Sequence, residues 1–343
     1  MPTILLSPIL VYENLLSRKH GFGLALKRMA KSSVDAKTLR RLMKGEASEN
    51  SARKVIVEMF AAYPKSKEII EKFNAEMAAE YSGEDQSHEL ALAQGSLVWL
   101  PFIYAFASQV EQHQGPEARA DLASIRHIVP LDHASIKVSA LVKRGDISAA
   151  CDLVEQSAIR PFLADEHLRE MRAANSPEAF VAASMPVRYI GLLFIAAALE
   201  HDLWPNGNGS RLSNCLPIAE KGSGSFPFAR CLLRLGELLG LKTYDDIVAA
   251  LLIDSNLAHM DSQRKRYSRW RRGDLPEQLA FEEAMQRFFL KRGFPRQEQV
   301  EVEKLYIGLR YMHALSKAPL ASHFGSNKAF FDNYQHIYAS MAK

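Results

Sequence analysis

Cysteine is scarce in this sequence. There are three among 343 residues, Cys151, Cys215 and Cys231, and no CxxC pair. So few, so far apart, build neither a disulfide framework nor a structural zinc site, and they fit a reducing compartment; a cytoplasmic location is expected. Long apolar runs are missing as well. The longest, Leu97–Ala107 and Tyr189–Leu199, are interrupted by Pro101 and Gly191 and fall short of the roughly 18 residues that span a bilayer, so no membrane partner is expected. The first residues carry no basic stretch ahead of their apolar ones and no small-residue cleavage site after them, which argues against a secretory signal. No Walker A, GxSxG, HExxH or strand-borne GxGxxG motif occurs, and His127, His133 and His201 lack metal-ligand spacing. Neither a cofactor nor a metal is expected, and a binding role is favoured over an enzymatic one.

Sustained period-two alternation is absent too, outside a first dozen residues that suit a strand or a loose arm. Apolar residues recur instead at spacings of three and four, the period of a helix with one buried face. Leu90, Leu92, Val98, Ile103 and Phe106 follow it, as do Ile136, Val138, Leu141 and Val142, and, after the turn-like Arg144-Gly145-Asp146, Ala149, Leu153 and Val154. Val187, Ile190, Leu193 and Ala197 lie on a strongly apolar helix. Phe228, Cys231, Leu232, Leu235 and Leu238 give another, with Gly240 as its C-terminal cap. Val302, Leu305, Ile307, Leu309, Met312 and Leu315 repeat the theme. The expected fold class is all-α, a multi-helix bundle. The stretch Trp204–Ser225, rich in glycine, asparagine and serine and holding Pro205 and Pro217, reads as a long loop or linker. The expected division is therefore an N-terminal domain over 1–82, a helical middle domain over 83–203, the loop over 204–225 and a C-terminal helical domain over 226–343.

The charge is unevenly spread. The chain carries a net +4, yet eleven basic residues against three acids lie between Arg18 and Lys54, and six basic residues with no acid lie between Arg264 and Arg272. Those segments hold +14 and the remainder −10. Clustered cations gain affinity for polyanions by releasing counterions condensed on phosphates, so nucleic acid is the expected partner, duplex DNA foremost and RNA or a single strand second.

The basic segments also share a pattern. In Val34-Asp35-Ala36-Lys37-Thr38-Leu39-Arg40-Arg41-Leu42-Met43-Lys44-Gly45, Asp35 can cap a helix that buries Leu39 and Leu42 and ends at Gly45. Val34, Asp35, Thr38, Leu39, Leu42 and Gly45 resemble, position by position, the recognition helix of Cro/C1-type (XRE-like) helix-turn-helix domains, over residues 21–63. The resemblance implies a short helix whose N-terminal end enters the major groove. The sequence departs from that family where Met29-Ala30-Lys31-Ser32-Ser33 is one residue short and has Ser33 in place of the turn glycine; a basic amphipathic helical hairpin is the alternative.

A shift of 228 residues lays Leu39 on Tyr267, Arg41 on Arg269, Leu42 on Trp270, Lys44 on Arg272, Gly45 on Gly273 and Glu46 on Asp274. A second, more divergent copy over 243–288 is thus expected, with Tyr244–Leu251 as its first helix and Asn256–Asp261 as a connection longer than a tight turn. Base-edge readers would be Lys37, Arg40, Arg41, Arg264 and Lys265; phosphate clamps would be Lys44, Arg53, Lys54, Arg269, Arg271 and Arg272. Tyr267 and Trp270 could instead stack on unpaired bases.

Two enzyme-like strings stand beside this reading. His201-Asp202-Leu203-Trp204-Pro205-Asn206-Gly207-Asn208-Gly209-Ser210-Arg211 resembles the Fic-family motif, which implies a general-base histidine and a nucleotide-binding turn. Here the histidine is one residue too distant, the Pro-Phe pair is missing, Asn206 replaces the acid and Ser210 intervenes before Arg211. The pair Arg126 and His133 is spaced as in some helical RNases, with Pro130 between them arguing against one continuous helix. The expected role is a bacterial-type DNA-binding protein, a transcriptional regulator or a DNA-targeting subunit of a mobile-element or defence assembly, acting as a homodimer or with protein partners. The alternatives are a helical protein–protein interaction scaffold and a Fic-like nucleotidyltransferase.

Overall fold

The computed structural model describes residues 122–205, 209–216, most of 229–251, 257–272 with 274, and most of 305–342, together with Asn50, Lys54, Glu58 and Gly293. The described residues are helical or connect helices, and none forms a strand: the all-α class expected from the periodicity. They belong to two compact units, divided between Asp202 and Leu203.

In the first unit a π-turn, Ser124–Ile128, leads directly into α1, Val129–Lys143. Pro130, in the first turn of α1, explains the wide turn. Proline has no N–H to donate and its ring presses on the carbonyl four residues back; a π-turn shifts the pairing by one residue and relieves both. The helical path runs unbroken from Ala123 to Lys143. This corrects the expectation that Pro130 separates Arg126 and His133. The start of the path is held from far along the chain: the Ala123 and Ser124 N–H groups donate to the two oxygens of Asp202, at 2.6 and 3.0 Å. A carboxylate there satisfies donors that a helix start leaves unpaired.

Gly145, at φ +81, turns the chain after α1. Asp146 then caps α2, Ile147–Gln156, by accepting from the Ala149 N–H at 3.1 Å, and α1 and α2 pack together over Val138, Val142, Ala150 and Val154. A single 3-10 turn, Arg160–Phe162, leads to α3, Asp165–Arg172, whose Arg172 reaches back to Asp152 and Glu155 on α2 at 2.8 and 2.9 Å. Next comes α4, Pro177–Ala183, capped by Ser176, and it meets α5, Met185–Leu203, at 51°. Fourteen of the 19 residues of α5 are buried, on every side of the helix. A helix buried on every side serves as a core rather than as a face, so α5 is a core helix of its unit. No single described helix is long and apolar enough to cross a membrane; α4 and α5 together have the composition but are bent at Ser184.

The second unit contains a 3-10 turn at Ser213–Cys215, helical residues within 229–236 and 305–316, and α6 to α9: Tyr244–Leu251, Leu257–Arg271, Ala321–Phe324 and Asn327–Met341. Gly240, at φ +69, ends the helical residues of 229–236, with the Leu241 N–H donating to the Gly236 carbonyl at 2.8 Å. That six-to-one bond and left-handed glycine are the expected C-cap. Thr243 and Asp246 cap α6 reciprocally, each side chain accepting from the other's backbone N–H, at 3.1 and 2.9 Å. Two glycines permit close approach: a methyl group at Gly308 would stand 2.6 Å from Leu212 Cδ2, and one at Gly236 would collide with the Ile247 side chain. Along α9, Phe330, Phe331, Tyr334, Ile337, Tyr338 and Met341 are buried, at helical spacing.

Candidate nucleic-acid interface

The described part of the basic pattern is α7. Its inner face is narrow. Tyr267 and Trp270 are each 3% exposed and meet edge to face, with ring centroids 4.9 Å apart at 65°. Spacing of three residues puts both on one side of the helix, the side the register assigned to Leu39 and Leu42. Their burial corrects the idea that they stack on unpaired bases, because neither ring has a free face.

The exposed part of the helix is mostly cationic, with Asp261, Ser262 and Ser268 beside the basic residues. Arg264, Lys265, Arg266, Arg269 and Arg272 are all exposed. Lys265, Arg269 and Arg272, at i, i+4 and i+7, form one stripe about 10 Å long at the helical rise. Arg269 is engaged at its own helix end, Nε donating to Asp274 Oδ2 at 2.7 Å, with both side chains half or more exposed. Among the described residues no carboxylate lies at ion-pairing distance from Arg264, Lys265, Arg266 or Arg272. Arg271 closes the helix. Arg266 was not among the expected site residues, although its exposure equals theirs in kind; the six-residue cation run already held it.

The helix boundaries alter the expected docking. Tyr244–Leu251 is a helix, as read, but α7 already begins at Leu257, so most of the expected connection Asn256–Asp261 is helical. Arg264 and Lys265 are consequently mid-helix residues, the eighth and ninth of fifteen, and not the start of a short recognition helix. No breaker interrupts Leu257 to Arg272, and propagation of a helix already nucleated costs little per residue. Lys54 is exposed on a helical residue, with Asn50 and Glu58 one turn to either side. Lys37, Arg40, Arg41, Lys44 and Arg53 lie outside the described residues.

The Fic-like string has structural work at its described positions. Asp202 is the tertiary cap of the first helical path. Trp204 is 5% exposed, with the Arg211 guanidinium 5.1 Å from its ring centroid. Ser210 Oγ accepts from the Ser213 N–H at 2.9 Å and so starts the 3-10 turn. Gly209 takes φ +96, a conformation open to glycine alone at little cost. Leu212, Cys215 and Leu216 are buried, and Arg230 donates to the Leu216 carbonyl, so the described part of this loop is packed into its unit. Asn206, Gly207 and Asn208 lie outside the described residues. Among the described residues no group of three or more His, Cys, Asp or Glu side chains could hold a metal ion. No protein-family model, curated protein or solved structure matches the chain.

Proposed function

We propose that this chain binds nucleic acid, duplex DNA foremost, through the cationic circumference of α7 and the basic segment between Arg18 and Lys54. One observation carries the reading: α7 buries its two aromatic rings and presents Arg264, Lys265, Arg266, Arg269 and Arg272 together on its outer surface. Such a surface gains by trading counterions and water for phosphates. Its one described ion pair, Arg269 with Asp274, is exposed and weak, so a phosphate competes for Arg269 at small cost. On this reading α7 positions the chain on the backbone, and sequence preference belongs to the helix-turn-helix-like segment at 21–63. The biological role it suits is regulation of transcription, or DNA targeting within a larger assembly.

Two substitutions test that division of labour on the full chain, read by fluorescence anisotropy with a selected duplex and a scrambled one. Arg40→Ala costs roughly 1–3 kcal/mol on the selected site and relaxes preference at one base pair. Lys44→Ala weakens both duplexes about equally. Equal, sequence-blind losses for the two variants mean that the segment is a basic face without readout.

A further inference from the structure

Arg188 is the one arginine the described core encloses. It lies in the first turn of α5 at 5% exposure. Its Nη1 donates to Met185 Sδ at 3.9 Å, one turn back, which directs the guanidinium towards the α4–α5 junction. Nε and Nη2 have no hydrogen-bond partner, and among the described residues no carboxylate lies at ion-pairing distance. Nε and Nη2 are the two donors of a single edge of the guanidinium, the edge that grips two oxygens at once. The backbone beside it is already engaged: the Arg188 N–H donates to the Ser184 carbonyl at 3.1 Å and Pro186 has no N–H, so the open donors are those of the guanidinium.

A core does not ordinarily enclose a charge with a whole donor edge unused, since an uncompensated buried ion is among the costliest groups to desolvate. Burial already draws the Arg188 pKa down to about 10, so the group is still a cation at neutral pH. We infer that Arg188, at the junction of α4 and α5, is the core of a binding site for a small oxyanion, a phosphate or a carboxylate, seated bidentately on Nε and Nη2 within the first unit. The guanidinium fork would supply two parallel donors, and the anion would neutralise the charge that the apolar surroundings do not. The site is independent of the α7 surface, so it stands or falls apart from the DNA reading.

The test uses the full chain at neutral pH and fixed ionic strength, with inorganic phosphate or acetate replacing chloride, read by thermal unfolding. Both salts act on every protein's hydration, so the informative quantity is the difference between the unsubstituted chain and Arg188→Met. Above half-saturation each tenfold rise in free anion lifts the unsubstituted chain's midpoint by about 2–3 °C relative to the variant. A response to phosphate alone makes the ligand a phosphate group; a response to acetate alone, or to both, makes it a carboxylate-sized oxyanion. Arg188→Lys, which keeps the charge but loses the fork, loses most of the response and serves if the methionine variant does not fold. Broadening of the inorganic phosphate signal in phosphorus NMR, saturable with the unsubstituted chain and weaker with Arg188→Lys, gives a direct reading for the phosphate case. Parallel responses of the unsubstituted chain and the variants to both anions overturn the inference.

Discussion

Asp202 sits between two opposed effects. Burial pushes its pKa up, while the hydrogen bonds from Ser124 and Ala123 and the nearby His201 pull it down without cancelling the rise. The folded pKa therefore lies above the unfolded value of about 4. Below that unfolded value both states hold the proton and the group adds no pH dependence. As pH rises through the window up to the folded pKa, the native state binds more protons than the unfolded one, and stability falls. Asp202→Asn keeps an acceptor for one N–H and removes the titration. Denaturant midpoints between pH 3 and 7 should show the unsubstituted chain losing ground to Asp202→Asn as pH increases; a constant difference contradicts this account of the carboxylate. Trp270 is a packing residue on the same scale. Trp270→Ala removes a ring in edge contact with Tyr267 and should destabilise the second unit by about 3–5 kcal/mol in urea, against roughly 1 kcal/mol for Trp270→Phe. The enclosure of Arg188 was not legible in the sequence. An arginine in an apolar helix normally marks the solvent side, and only the burial of α5 on every side removes that side.

Among the elements, those whose ends carry chemistry were readable. Gly145 and Asp146 mark the turn between α1 and α2, Gly240 marks a left-handed cap, and Tyr244–Leu251 has the apolar period of α6. Pro130 misled because a proline forbids only the ordinary ladder, and a π-turn offers another. The start of α7 was misplaced for a different reason: a register borrowed from the first basic segment implied a connection where nothing in Leu257-Ala258-His259-Met260-Asp261 breaks a helix. The faces of α7 were nonetheless legible, since spacing alone separates Tyr267 and Trp270 from the cations. That separation has a sharp consequence. Lys265→Ala and Arg272→Ala should each make the salt dependence of DNA binding shallower by about 0.9 in log–log slope. Asp274→Ala should tighten binding about two- to five-fold at low salt, because it frees Arg269 and removes a repelling charge. Tightening that fails to appear, with Lys265→Ala also silent, would place the contact surface elsewhere.

At the scale of the molecule, the decisive property is where the charge lies. Two short segments hold +14 while the rest of the chain holds −10, and the described one of the two is outward-facing over most of α7. On the proposed reading, an acidic remainder would repel nucleic acid everywhere but at the basic segments and so orient the encounter. The described residues of the Fic-like string cap a helix, pack an indole and start a 3-10 turn. A scaffold that binds an acidic protein surface remains the rival reading, and salt separates the two through the number of counterions released. The direct measurement is the affinity of the full chain for a short duplex across a series of salt concentrations. Arg264, Lys265, Arg266 and Arg272, which have no ion-pair partner among the described residues, give a log–log slope steeper than about −3, and contacts from the Arg18–Lys54 segment steepen it further. A flat response, or no binding to duplex DNA at low salt, contradicts the account.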